Sequence, residues 1–297
     1  MKSKEIVVSI SCITYNHASF IRECLDGFLM QECEFGFEVL IHDDASTDGT
    51  ADIIREYQEE YPYIIKPVIQ KENQYSKGVR NINSKYNFSR AKGRYIAMCE
   101  GDDYWTDPYK LQKQVKFMEG HLDVVLTFHD RSIINDKDEV KEVKLFNIKD
   151  TDKTIVKNII HQFTPTLTMM FKTSALQDYF NINLVKAKVF GGDAFLRAYL
   201  STKGKIVYLN FNGAVYRMHG GGVHNSLSLI SKKEKAIETR LSVIKYIERV
   251  NKRDVYKSIL KFCFVIMRDS LKESQYGVCF KYLIKTINFS FKYIFII

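Results

Sequence analysis

"RYIAMCEGDDYWTDP", residues 94–108, runs an apolar, strand-like segment straight into three carboxylates, Glu100, Asp102 and Asp103, held within four positions. The apolar part has the length and the branched and aromatic content of a strand inside a covered sheet. The acids then fall where that strand leaves the core. Like charges a few ångströms apart repel, and the repulsion is relieved by protonation or by a cation.

The same pattern recurs along the first half of the chain. Strand-like runs at 6–14 ("IVVSISCIT"), 37–43, 63–70 and 123–129 alternate with helix-like segments at 18–31, 50–61 (behind the capping signal "STDG"), 76–93 and 108–120. This alternation predicts a mostly parallel sheet covered on both faces, with ligands bound outside the carboxyl ends of its strands. The first run ends in "TYNH" (14–17), the second in "HDDASTDGT" (42–50), and the fourth in "EGDDYW" (100–105). Three polar strand ends therefore meet on one edge. Clustered carboxylates there suit Mg²⁺ or Mn²⁺, which sit on one or two carboxylates and complete their shell with substrate phosphates.

Length and charge bound the rest. The 297 residues, 45% of them hydrophobic, suit one large domain, or one domain plus an appendage, rather than disorder. The net charge of +9 arises entirely in residues 226–297, which hold 15 Lys and Arg against 6 Asp and Glu. Such asymmetry asks for an anionic partner, a membrane surface or nucleic acid. Cysteines 12, 24, 33, 99, 263 and 279 show no metal spacing and read as reduced core thiols. The first residues have no secretory cleavage pattern, which predicts a cytoplasmic catalytic part. Between 132 and 185 the signal weakens: "INDKDEVKEVK" reads as a loop and "TPTLTMMF" as one more strand. Beyond "GGGVHN" (220–225) the pattern is helical, which places a boundary near 225 between a catalytic domain, 1–225, and a basic helical extension, 226–297.

The ordered segments "SCITYNH", "VLIHDDASTDGT", "CEGDDYW", "GGD" and "YRMHGGG" resemble family 2 glycosyltransferases of the GT-A fold, a three-layer α/β/α sandwich, over roughly residues 6–225. The resemblance implies an inverting, metal-dependent transfer of a sugar from a nucleotide-diphosphate donor. By that likeness Thr14, Tyr15 and Asn16 line the nucleotide pocket, and Asp44 accepts a hydrogen bond from the base. Glu100, Gly101, Asp102 and Asp103 form the DXD-type element, with Asp102 on the metal that bridges the donor diphosphate; Glu100 stands where the family more often has Asp. Asp193, in "FGGDAFLRAYL", falls where the family carries its catalytic base. Arg217 or His219 would face the diphosphate or the metal, with the following glycines in a closing loop. The acceptor implied is a hydroxyl on a growing, lipid-linked cell-surface glycan.

Bland readings compete at several positions. Asp48 suits a turn and helix cap. His42, His121, His129 and His161 share no ligand spacing and read as structural. Tyr104 and Trp105 either pack beneath the site or stack on an acceptor sugar. A sugar-nucleotide pyrophosphorylase would need a Gly-rich phosphate loop where "TYNHASF" stands, and an Asp-x-Asp phosphatase would need a carboxylate after the first strand. The alternative from another class is a catalytically silent binding or assembly module at the membrane. In the tail, Lys281, Lys285 and Lys292 share an arc of about 40° at ~100° per residue within an otherwise apolar helix, "CFKYLIKTINFSFKYIFII". Three lysines argue against a spanning helix and for peripheral contact with an anionic inner leaflet, each lysine adding roughly 1 kcal/mol, rather than for nucleic acid. The competing use of the apolar face is packing on the catalytic domain or closing a homodimer.

Overall fold

The computed structural model describes residues 4–80, 82–137, 139–146, 153–156, 164–183, 189–220 and 228–295. His161, the boundary expected near 225 and the glycines at 221 and 222 lie outside them. The chain divides into two compact units. One consists of Met1–Lys157, Thr164–Asn181 and Lys203–Met218; Ile182–Thr202 and His219–Ile297 belong to the other.

The first unit is built on one sheet in the order β3-β2-β1-β4-β9-β6-β10-β5, with β7 on β6 and β8 (Lys153–Ile155) on β10. Strands β1 (Ile6–Thr14), β2 (Gly36–Asp43), β3 (Ile65–Ile69) and β4 (Tyr95–Glu100) are mutually parallel. Nearly every residue of β1 is buried, as expected of a strand covered on both faces. Helices α1 (Ile21–Leu29), α2 (Thr50–Glu60) and α3 (Lys110–Glu119) place Ile21, Cys24, Leu25, Phe28, Ile54, Leu111, Val115 and Met118 in the same core as the strand side chains. Register aligns the strand ends: Thr14 pairs with Asp43 and Ile13 with Glu100, so the first, second and fourth strands finish level with one another.

Beyond β4 the sheet becomes mixed. β9 (Met170–Lys172) runs antiparallel between β4 and β6 (Val124–Ile134), and β10 (Lys205–Arg217) lies parallel to β6. The segment 134–144, expected as a loop, turns back as β7 (Val140–Val143) on β6, with its charged side chains exposed. The two-residue β5 (Tyr104–Trp105) pairs with Ala214 and Val215 of β10, a strand too short to show a period in sequence. The helix expected over 76–93 is reduced to a π-turn at Asn83–Asn87 and a 3₁₀ turn at Phe88–Arg90. Side chains outcompete helix continuation here. Asn83 accepts from Ser11 at 2.7 Å, and Asn87 donates to Ser11 Oγ at 3.1 Å and to the Cys12 carbonyl at 2.9 Å, tying the segment to β1.

Trp105 anchors the floor of the site edge. It is 1% exposed, its Nε1 donates to the Leu167 carbonyl at 2.8 Å, and Phe28 meets it edge-on at 4.8 Å. Gly27 of α1 approaches so closely that a Cβ would sit 2.9 Å from the Trp105 backbone. Lys110 Nζ lies 3.9 Å over the indole ring and donates to Gln114 at 2.9 Å. No disulfide joins the cysteines of the described residues, and Cys12, Cys24 and Cys99 are buried.

The second unit is helical: α4 (Gly192–Leu200), α5 (Leu229–Tyr246), α6 (Lys252–Lys272) and α7 (Tyr276–Ile294). Ser228 and Asn251 cap α5 and α6 by accepting from the amides of Ser231 and Asp254. Its interior includes Ile237, Val243, Val255, Ile259, Cys263, Ile266 and Tyr282.

Burial lowers the Lys110 ammonium from its ordinary 10.5 to about 7. Between those values the unfolded chain carries a proton that the folded chain does not, so this residue makes stability rise with pH across that window. Urea unfolding at a series of pH values should show the parent gaining stability over Lys110→Met with a slope approaching about 1.4 kcal/mol per pH unit. Parallel pH profiles for the two proteins would contradict the buried lysine's role.

Candidate functional site

Strand register assembles the edge. After β1, Thr14 is buried, Tyr15 is 45% exposed, and Asn16 adopts the left-handed conformation at φ 55°. After β2, the Asp44 amide donates to the Thr14 carbonyl at 3.0 Å; after β4, the Gly101 amide donates to the Ile13 carbonyl at 2.9 Å. A Cβ on Gly101 would lie 2.7 Å from Thr14 Oγ1, so only glycine lets the acidic turn close against β1. That Thr14 hydroxyl is buried with no hydrogen-bond partner among the described residues.

The carboxylates are set at different depths. Asp103 is 2% exposed. Burial first, then the neighbouring Asp102 and Glu100, push its carboxyl well above the usual carboxylate range. Its Oδ1 accepts from the Arg217 amide at 2.9 Å. Asp102 lies at the surface of the cluster, 3.8 Å from His17 Nε2. Crowded carboxylate oxygens beside an imidazole are a donor set that fits a hard divalent cation.

Arg217 binds this turn together. Its Nε donates to the Asp102 carbonyl at 3.0 Å, and its Nη2 pairs with Glu23 on α1. The guanidinium lies 4.8 Å over Phe20 and 5.1 Å over Tyr104. Tyr104 and Trp105 thus both serve the floor, one beneath the arginine and the other beneath Lys110. A second cation, Arg131, is buried near Asp103 and Asp130; burial lowers its pKa against the pull of Tyr216 and those acids.

The other lip is equally organised. Asp44 is 6% exposed, and its two carboxylate oxygens accept from the Gln74 and Tyr75 amides at 2.7 and 3.0 Å. Each oxygen has a further lone pair for a ligand. Asp43 accepts from Ser46, and burial raises its carboxyl above the ordinary range. Asp48 accepts from the amides of Thr50 at 3.1 Å and Ala18 at 2.9 Å, so it acts as a turn cap that also links the first two strand-end loops. Asn16 accepts from the Thr47 amide at 2.8 Å. His42 stacks on Tyr86 at 4.4 Å and burial lowers it to about 4; His129 stacks on Phe211 at 4.3 Å and burial keeps it neutral. His121 stacks on Phe117. These three are structural.

In the second unit Asp193 lies in the first turn of α4 and pairs with Arg197 at 3.1 Å. Arg240 is close enough to feel both, and burial lowers it to about 10. His219 opens the last stretch of that unit. The structure therefore brings Thr14, Tyr15, Asn16, Asp44, Glu100, Gly101, Asp102, Asp103 and Arg217 together on the first unit, while Asp193 and His219 belong to the other. Sequence reasoning missed Glu23, Phe20, Arg131 and the backbone amides of Gln74 and Tyr75. Only Arg131 left a signal, as a charged residue inside an apolar run. It also missed a polar cleft of about 320 Å³ beside β10, lined among others by Asp130, Glu142, Asn210 and Phe211.

Comparison with known proteins agrees with this geometry. The model of "Glycosyl transferase family 2" matches residues 9–180. An uncharacterized protein of Mycobacterium tuberculosis is 37% identical over 234 residues, 78% of this chain and 64% of the relative's length. The chain thus spans less than two thirds of that relative. An uncharacterized glycosyltransferase of Nostoc is 30% identical over 236 residues, 77% of this chain and 70% of the relative. The Escherichia coli UDP-Glc:alpha-D-GlcNAc-diphosphoundecaprenol beta-1,3-glucosyltransferase WfaP is 38% identical over 116 residues, 38% of this chain and 41% of the relative. Among solved structures, Staphylococcus aureus TarS 1–349 with UDP-GlcNAc superposes with a TM-score of 0.61 at 17% identity, covering 86% of this chain and 71% of its own. The Pyrobaculum calidifontis mannosyltransferase PcManGT with GDP-Man and Mn²⁺ gives 0.54 at 15% identity, covering 99% and 88%. The fold is GT-A.

Removing Arg217 from the acidic turn should cost stability before any question of ligand arises. Arg217→Met is expected to destabilise the chain by about 2 kcal/mol, the usual worth of charge-assisted hydrogen bonds. Loss of its exposed partner in Glu23→Gln should cost under about 1 kcal/mol. Chemical denaturation of both variants checks the ratio.

Proposed function

Because the chain belongs to glycosyl transferase family 2, we propose that it is an inverting, metal-dependent glycosyltransferase of the hexosyl-transferring kind. Its donor is a nucleotide-diphosphate sugar, and its acceptor is a hydroxyl on a growing, lipid-linked cell-surface glycan. The observation that carries this reading is the strand-end cluster, where buried Asp103, Asp102 and Glu100 face a loop already shaped by Thr14, Asn16 and Asp44. A carboxylate group built at that cost to itself is explained by a cation and a diphosphate brought together there.

In this reading Tyr15 and Asn16 flank the nucleotide, and Asp44, oriented by two backbone amides, accepts from the base. Asp102 holds Mn²⁺ or Mg²⁺, with Glu100 and Asp103 as supporting carboxylates; the family resemblance assigns His219 to the same cation. When bound, the cation neutralises charge on the departing diphosphate. Arg217 acts by positioning the Asp102–Asp103 backbone, which deepens the donor role the resemblance gives it. The acceptor oxygen attacks the anomeric carbon as the bond to the diphosphate oxygen breaks on the opposite face, and Asp193 takes the hydroxyl proton. The lipid-linked acceptor is supported by the name of the E. coli relative, and implies work in the cytoplasm at the inner face of the membrane.

Two variants test the roles. Screening UDP-, GDP- and dTDP-sugars by thermal shift should reveal Mn²⁺-dependent stabilisation of the parent, about 2.7 kcal/mol at a hundredfold excess over Kd. Asp102→Asn should lose the Mn²⁺-dependent part while melting normally without ligand. A parent that binds no nucleotide sugar would instead be the silent module. Asp193→Asn should keep donor affinity and lose on the order of 10² to 10⁴ in transfer rate. Near-normal turnover with the acceptor would place the base elsewhere.

A further inference from the structure

Helix α7 presents two faces of opposite character. Tyr282 and Thr286 are buried, and the Tyr282 hydroxyl donates to Glu234 of α5 at 2.8 Å. On the other side Phe280, Leu283, Ile284, Ile287, Phe291 and Ile294 are 46–64% exposed. At about 100° per residue these six side chains fill one arc of roughly 100°. Lys281, Lys285 and Lys292 fall together in the adjoining arc, and residues 276–297 contain no Asp or Glu. Lys281 lies 3.4 Å from Glu234 and Lys285 4.6 Å over the Tyr282 ring, so these two hold the margin of the apolar face while Lys292 is exposed. An apolar stripe this continuous is not ordinary surface. Among the described residues no helix is long and apolar enough to cross a membrane.

We propose that α7 is an interfacial helix that lies in the plane of an anionic lipid leaflet, with Phe280, Ile284, Ile287 and Phe291 immersed and the lysine margin at the headgroups. The occupant follows from charge: a cationic border with no acid in the helix matches an anionic leaflet and discourages a second copy of the same cationic face. A peripheral helix of this kind would hold the chain beside a lipid-linked acceptor. That purpose rests on the transfer reading, but the docking itself does not.

Co-sedimentation of the full chain with vesicles separates the two. The parent should bind mixed phosphatidylcholine–phosphatidylglycerol vesicles, and binding should weaken with added salt and be much poorer on phosphatidylcholine alone. Replacing Phe280, Ile284, Ile287 and Phe291 by Ser should lower the partition more than about a hundredfold. Lys281→Gln, Lys285→Gln and Lys292→Gln together should lower it at least about tenfold. Circular dichroism melts of both variants should match the parent, because the exchanged apolar side chains are exposed. Three results would overturn the proposal: a parent that stays in the supernatant, a serine variant that binds as the parent does, or a lipid-free dimer that the serine variant converts to monomer. None of these readouts uses donor or acceptor, so a failed transfer assay leaves the docking result intact.

Discussion

Negative charge crowded at the end of β4 is the constraint around which the first unit is arranged. Three carboxylates in four positions cannot be carried out of water without compensation. The chain supplies the compensation from far away in sequence: the Arg217 amide reaches Asp103 across 114 positions, and Arg131 arrives on β6. Arg217 is in place only when β10 is paired with β6, through Ile134 opposite Arg217, and with β5, through Val215 opposite Tyr104. The mixed half of the sheet is therefore more than an extension of the parallel half. It delivers the cations that make the acidic turn tolerable.

The other strand ends are tied down in the same way. Asp44 accepts two backbone amides, Asn16 is fixed to Thr47, and Gly101 closes on Thr14 with no room for a side chain. In the donor-binding reading proposed above, atoms held this way would lose little freedom on binding, so more of the contact energy would become affinity.

What could be read from sequence was what has a local signature. Strands β1 to β4, helices α1, α2 and α3 and the polar strand ends follow from short-range periodicity, and β1, β2 and β4 lie within a residue or two of their expected bounds. Failures came where long-range contacts decide. The helix expected over 76–93 yields to Asn83 and Asn87 binding β1, and no window of neighbouring residues contains that competition. β5 is two residues long, and β7 is a charged edge strand whose partner defines it. Arg217 is given a donor role by the family resemblance alone; its bonds to Glu23 and the Asp102 carbonyl depend on α1 and β10 meeting, which no local window shows. Trp105 could not be assigned between floor and sugar platform until Leu167 and Phe28 were placed around it.

The tail shows the same limit in a different form. A helix that is apolar around most of its circumference announces burial somewhere, but its period does not say which face goes inward. The lysine stripe narrows the choice without making it. In α7 the decision falls to a single polar anchor: Tyr282 reaches Glu234, and that bond turns Thr286 inward and sends Phe280, Ile287 and Phe291 outward. Rotating the helix to bury those three side chains would expose Tyr282 and leave Glu234 without its hydroxyl donor. The one buried hydroxyl thus fixes the orientation, and the lysines border the outward face that it selects.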